Sequence, residues 1–150
     1  MNKTLNYISY QSFPAETANS LQTISNLKYL NRNNYKINLY FPLREKSSSD
    51  NLDTLKDYYL FDEDINVQGL DHPYPFGKIK YFQKIFFHIS HYLWAKSITK
   101  KFDYENYKDE YFFTRSDWIL YFLAKRKFNI IFECHQYSKV RSFVFKKVAN

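Results

Sequence analysis

The sequence predicts an α/β fold: a Rossmann-like three-layer sandwich around a mostly parallel sheet of about five or more strands. Three observations lead there. Short apolar runs rich in strand-forming residues alternate with longer segments of helical period, which is the signature of strand–helix–strand units. The 150 residues fit one domain of ordinary size. Hydrophobic residues make up 45 % of them and aromatics 21 %, which is a folding composition and not a disordered one.

The elements follow in order. "LNYISY" (Leu5 to Tyr10) reads as a buried strand. A polar turn leads into "ETANSLQTISNLKYLN", where Ala18, Leu21, Ile24, Leu27 and Leu30 recur at spacing three and predict a helix with a broad face buried against the sheet. "NRNNY" ends that helix, and "KINLYF" (Lys36 to Phe41) reads as the second strand. The three together make a unit of about 30 residues. "REKSSSDN" is a surface loop, "LDTLKDYYLF" a short helix, "DED" a solvated turn and "INVQGL" (Ile65 to Leu70) a third strand. "DHPYPFG" is a loop by its prolines and glycine. Residues 78–102 form the longest helix candidate. Phe82, Ile85, Phe86, Ile89 and Leu93 trace its apolar face, and Lys80, Lys84, His88 and His91 the opposite one. "EYFFT" (Glu110 to Thr114) is a strand. "SDWILYFLAKRK" is a helix capped by Ser116 or Asp117, "NIIFEC" (Asn129 to Cys134) a strand, and "SKVRSFVFKKVAN" a basic closing helix. Right-handed crossovers are expected between the strands.

Composition excludes several classes. With two glycines in the chain, Gly69 and Gly77, neither a Walker loop nor a G-x-G-x-x-G fingerprint can be written. A single cysteine, Cys134, forbids an internal disulfide and a cysteine-rich zinc site, and favours a reducing, cytosolic compartment. The first residues hold too short an apolar stretch for a signal peptide, and no run approaches a membrane span of about 18 residues. Charge is uneven. Residues 1–75 carry 7 Lys/Arg against 9 Asp/Glu, and residues 76–150 carry 15 against 6. A basic second half suits nucleic acid, an anionic membrane or a phosphorylated ligand. Lysine outnumbers arginine 17 to 5, a bias that AT-rich coding DNA also produces.

Ligands in parallel sheets bind beyond the carboxyl ends of the strands, which directs attention to residues 11–19, 42–46, 71–77, 115–117 and 135–138. In "FPAETANS" (Phe13 to Ser20), Pro14 sets the turn, Thr17 or Glu16 caps the helix, and Glu16 and Asn19 offer groups that bind hydroxyls. Arg115 precedes a helix N-terminus, where a guanidinium suits an anion; an ordinary surface arginine is the plain alternative. "FECHQ" ends the fifth strand with Glu133, His135 and Gln136. An acid and an imidazole two apart on an extended strand share a side. They can pair for acid/base work or hold a hydroxyl-rich ligand, or His135 is a structural histidine. His88 and His91 are spaced to orient two metal ligands, but no local acid accompanies them, so a solvated helix face is the expectation and no metal is assigned.

The segments "YISYQSFPAETANSLQTISNLKYLNRNNYKINLYFP" and "YFFTRSDWILYFLAKRKFNIIFECH" resemble, in order, the N-terminal half of family-4 glycosyltransferases of GT-B type. The matching positions are Ala18-Asn19-Ser20 at the first helix start, Thr114-Arg115-Ser116 after a later strand, and the acid-x-His set Glu133-Cys134-His135. The resemblance implies an acceptor-binding domain of a retaining hexosyltransferase that builds a cell-surface glycan or glycolipid. It also implies a partner donor domain that holds the nucleotide-sugar, a cleft with His135 on its floor, and Arg115 and the 14–20 turn at its border. The donor nucleotide-sugar is a substrate; no cofactor and no Asp-x-Asp metal are implied. Two departures stand out. The first turn lacks the glycines that many relatives place beside the diphosphate, and Glu16 would repel an anion. About 150 residues hold one half and not both, so this chain alone is expected to transfer no sugar.

The basic face of residues 78–102 can rest on an anionic leaflet, where lipid-linked acceptors are found, with a solvated face as the plainer reading. A second reading is a nucleic-acid-binding module, from aromatics interleaved with lysines at "KIKYFQKIFFH" and "RSFVFKK". Periodicity argues against it by assigning most of those aromatics to buried faces. A third is a non-catalytic interaction protein that keeps the fold.

Overall fold

A computed structural model describes residues 3–74, 83–135 and 138–148. Five strands form one parallel sheet flanked by helices, in the order β3-β2-β1-β4-β5, which is the Rossmann-like α/β arrangement expected. By its contacts the chain divides into two compact units, Met1–Asp71 and His72–Asn150.

In the first unit β1 (Thr4–Ile8) leads to α1 (Ala18–Arg32), β2 (Lys36–Leu43), α2 (Leu52–Tyr59) and β3 (Asn66–Asp71). β2 lies between β1 and β3, paired parallel with both. Ile37, Leu39, Tyr40 and Phe41 are buried on successive positions, as expected of a strand covered on both faces. Register is written in polar atoms as well. Asn6, Asn38 and Asn66 are aligned across the three strands. Asn38 donates from Nδ2 to Asn6 Oδ1 at 2.8 Å, and Asn66 donates to Asn38 Oδ1 at 3.1 Å. A one-residue slip would break this row, in which Asn6 and Asn38 are buried, so the row opposes slippage. Gly69 faces a tight neighbour: a Cβ there would lie 2.6 Å from the Leu43 side chain.

The helix ends match their sequence signals. Thr17 caps α1, Asn51 caps α2, and "NRNNY" ends α1 with Asn34 in the left-handed region at φ 63°, a conformation asparagine tolerates. The stripe expected on α1 needs correction. The residues buried along it are Ser20, Thr23, Ile24 and Leu27, while Ala18 and Leu21 are exposed and Leu30 is half-buried. A strict spacing of three drifts round a 3.6-residue helix. The true stripe takes in two hydroxyls because both have partners: Thr23 Oγ1 lies 3.3 Å from the Tyr7 hydroxyl, and Ser20 Oγ bonds back into the preceding turn.

In the second unit α3 (Gln83–Thr99) and the single turn α4 (Tyr104–Tyr107) precede β4 (Tyr111–Thr114), α5 (Asp117–Lys125), β5 (Asn129–Phe132) and α6 (Lys139–Val148). α4 was not anticipated, and residues 78–82 of the expected long helix lie outside the described residues. β4 and β5 pair parallel from Tyr111↔Asn129 to Thr114↔Phe132. Beside them Phe102, Tyr107, Phe112 and Phe128 form an aromatic core, with Phe112 centred 4.8 Å from Phe128 and 5.0 Å from Phe102. α5 packs on both α3 and α6.

α3 overturns its expected orientation. Ser90, His91, Trp94, Ala95, Ile98 and Thr99 are buried, whereas Ile85 and Ile89 are exposed and Phe86 and Leu93 half-buried. Phe82 lies outside the described residues. The face assigned to the core therefore points outward. The expectation that aromatics beside the lysines are buried fails with it: Phe87, Phe143 and Phe145 are all exposed.

Candidate functional site at the strand ends

After β1, residues 9–20 make a glycine-free turn whose polar groups satisfy one another. Phe13, fully buried, sets its edge against Phe41 at 5.1 Å and Tyr59 at 6.4 Å, and the Phe13–Pro14 peptide is cis. Ser12 Oγ donates to the Pro42 carbonyl at 2.8 Å. The Tyr59 hydroxyl accepts from the Ala15 amide at 2.7 Å and donates to the Ala15 carbonyl at 3.1 Å. Thr17 is the N-cap, accepting from Ser20 N at 3.1 Å, while its own amide donates to Ser20 Oγ at 3.2 Å. This reciprocal box occupies amides that an anion would otherwise use.

On the outer side Asn19 Nδ2 donates to Gln11 Oε1 at 2.8 Å, and Gln11 Nε2 donates to Thr17 Oγ1 at 2.5 Å. Glu16 is exposed and accepts from the Tyr58 hydroxyl; burial first, then this carboxylate, raises the Tyr58 phenol above its ordinary value. Thr17 and Asn19 thus join one surface network, with Gln11 as the link. Arg44, just past β2, donates from Nη1 to the Tyr10 carbonyl at 2.7 Å and sits 4.8 Å from the centre of its ring. Burial pushes the Tyr10 phenol up to about 12, against the opposing pull of Arg44. Gln11, Tyr10 and Arg44 were not singled out from the sequence, although 11 and 44 fall in the strand-end windows that were.

In the second unit, three expected residues come together at the carboxyl ends of β4 and β5. The Glu133 amide donates to the Thr114 carbonyl at 3.1 Å, which carries the pairing one residue past the strands. Glu133 Oε2 then accepts from Arg115 Nε at 2.8 Å, and Oε1 lies 2.6 Å from His135 Nε2. Side-chain exposure rises along the row, from 13 % for Arg115 through 27 % for Glu133 to 43 % for His135. Arg115 is therefore tied to a carboxylate, and its charge is balanced within the cluster. Gln136 lies outside the described residues.

The start of α5 is closed in the same way. Ser116 is the N-cap, its Oγ accepting from Ile119 N at 3.2 Å and lying 2.5 Å from His91 Nε2. This corrects the reading of His88 and His91 as a solvated pair, since His91 is buried against Ser116 while His88 is exposed. Among the described residues no group of three or more His, Cys, Asp and Glu could hold a metal ion. Cys134 is exposed, with Arg141 Nη1 3.4 Å from its sulfur, and Arg141 Nε donates to Asp117 Oδ1 at 2.7 Å.

An imidazole whose Nε2–H is held by a carboxylate keeps Nδ1 as an acceptor. The cluster can therefore accept a hydrogen bond or a proton from a hydroxyl, with Glu133 supporting the charge that develops on the ring. No model of a known protein family matches this chain, and no curated protein matches it either.

Proposed function

We propose that this chain is the acceptor-binding, N-terminal half of a retaining hexosyltransferase of GT-B type. A partner domain would hold the nucleotide-sugar. What supports the reading is the Arg115–Glu133–His135 row beyond two adjacent parallel strands, the edge where such sheets bind ligands. His135 is the exposed end of that row and the group that meets an acceptor hydroxyl. Glu133 orients its ring, and Arg115 holds Glu133 in place. The capped, glycine-free turn after β1 fits an acceptor domain better than a diphosphate cradle, because its amides are already engaged.

Titration of the chain with octyl glucoside, octyl galactoside and octyl mannoside, followed by NMR of the His135 ring, tests this. At least one glycoside is expected to shift that ring, and Glu133→Gln to weaken the response about tenfold, the loss of one charge-assisted hydrogen bond. Nucleotide-sugars alone are expected to bind only feebly. Micromolar nucleotide-sugar binding, sugar transfer by this chain alone, or silence of His135 toward every glycoside would refute the reading.

A further inference from the structure

The outward face of α3 is apolar where a solvated helix face should be polar. Ile85, Ile89 and Leu93 stand at i, i+4 and i+8, one above another on the side away from the buried residues Trp94, Ala95 and Ile98. Ile85 is 56 % exposed and Ile89 47 %. The same side continues to Lys96 and Lys100, both exposed. Next to it α5 contributes a half-buried aromatic group: Tyr92 of α3 packs edge-on against Trp118 and Phe122, each at 5.1 Å, and Lys125 lies over the Tyr121 ring at 4.5 Å.

We propose that this α3–α5 face is a docking surface for an anionic phospholipid bilayer, lying in the interface and not crossing it. Charge complementarity selects that occupant. Between Asp71 and Asp103 the sequence contains no acid, while lysines stand at 78, 80, 84, 96, 100 and 101. Asp117, the acid that opens α5, is already bound to Arg141. Apolar side chains that enter the acyl boundary, lysines at the headgroups and a Tyr beside them are the set an interfacial helix needs. Branched aliphatic side chains have no face on which a base can stack, so the exposed isoleucines favour lipid over nucleic acid. The surface differs from the one expected from the sequence, where the basic side of the helix met the membrane and the isoleucines met the core. Among the described residues no helix is long and apolar enough to cross a membrane, which agrees with attachment from one side.

Flotation with phosphatidylcholine vesicles, with and without phosphatidylglycerol, tests the surface in the intact chain. Partition into the anionic vesicles is expected to exceed that into neutral ones by about tenfold or more and to fall as salt rises. Ile85→Asp with Ile89→Asp should reduce it about tenfold or more, and Ile89→Ser alone should weaken it in the same direction. Leu21→Asp, at an exposed leucine of α1, should leave it unchanged; circular dichroism confirms that each variant is folded. Equal partition into both vesicles, no partition into either, or binding untouched by the isoleucine changes would overturn the proposal. So would a gel shift with single-stranded DNA stronger than vesicle binding, or a dimer that Ile89→Ser dissociates. The glycoside titration reads different residues, so either proposal can fail without the other.

Discussion

After β1 the chain turns on a network of neutral side chains, with the Glu16 carboxylate outside it; after β4 and β5 it turns on charged ones. In residues 9–20 the network of Gln11, Thr17 and Asn19, the Thr17–Ser20 capping box and the anchored Phe13 tie the turn to itself and to neighbours within its own unit. At Arg115, Glu133 and His135 a row joined through one carboxylate reaches from a mostly buried guanidinium to a half-exposed imidazole. The first arrangement is self-contained because its polar atoms are spent locally. The second places an imidazole at the surface with a carboxylate behind it, the arrangement on which the proposed function rests. The self-satisfied turn and the candidate site thus lie at different strand ends.

The largest expected effect tests the anchor of the first turn. Phe13→Ala removes a fully buried ring and is expected to cost about 3–5 kcal/mol, read as a fall in the urea midpoint; a loss under about 1 kcal/mol would show that the turn does not depend on its anchor. The two N-caps sharpen the contrast. Ser116→Ala removes a buried cap and also the hydroxyl beside His91, with an expected cost of about 2–3 kcal/mol. Thr17→Ala removes an exposed cap and should cost about 1 kcal/mol. Equal losses in paired thermal melts would erase the distinction between an open and a buried turn.

The smallest effect is electrostatic. Burial alone would raise the Glu63 carboxyl, but its own backbone hydrogen bond and the Arg32 guanidinium outweigh burial and leave it below the ordinary carboxylate value. A lowered folded-state value means stability that is present above the unfolded carboxylate range, near pH 4, and lost as pH falls through the folded value. Glu63→Gln should therefore lower the melting temperature slightly at pH 7, flatten the acid limb of the profile below about pH 4 and converge with the parent chain at the acid end.

Legibility in the sequence was uneven for physical reasons. The alternation of strand and helix was readable because backbone hydrogen bonding imposes the two periods directly on the chain. Caps were readable too: Thr17 and Ser116 sit where a hydroxyl can reach the amide three residues on, a purely local matter. Glu133 and His135 were seen as a pair because two residues apart on an extended segment share a side. Gln11 and Arg44 were passed over because their value lies in what they touch across 6 and 34 residues of chain, to Thr17 and to Tyr10. α4 was missed because one helical turn has too few residues to display a period.

What the sequence determined by itself was the α/β class, the order of every element but α4 and the residues offered at the strand ends. These rest on local periodicity, capping and the rule that parallel sheets present their carboxyl edge. Tertiary structure decided which side of each helix is inside. α1 buries Ser20 and Thr23 and leaves Leu21 out, and α3 buries His91 and leaves Ile85 and Ile89 out. A helical wheel ranks side chains by polarity, but burial depends on which neighbour supplies a partner. Tyr7 receives the Thr23 hydroxyl and Ser116 receives His91, so polar groups enter the core at little cost once paired. The apolar stripe of α3 is then left facing outward, because the opposite side of the same helix already fills the core.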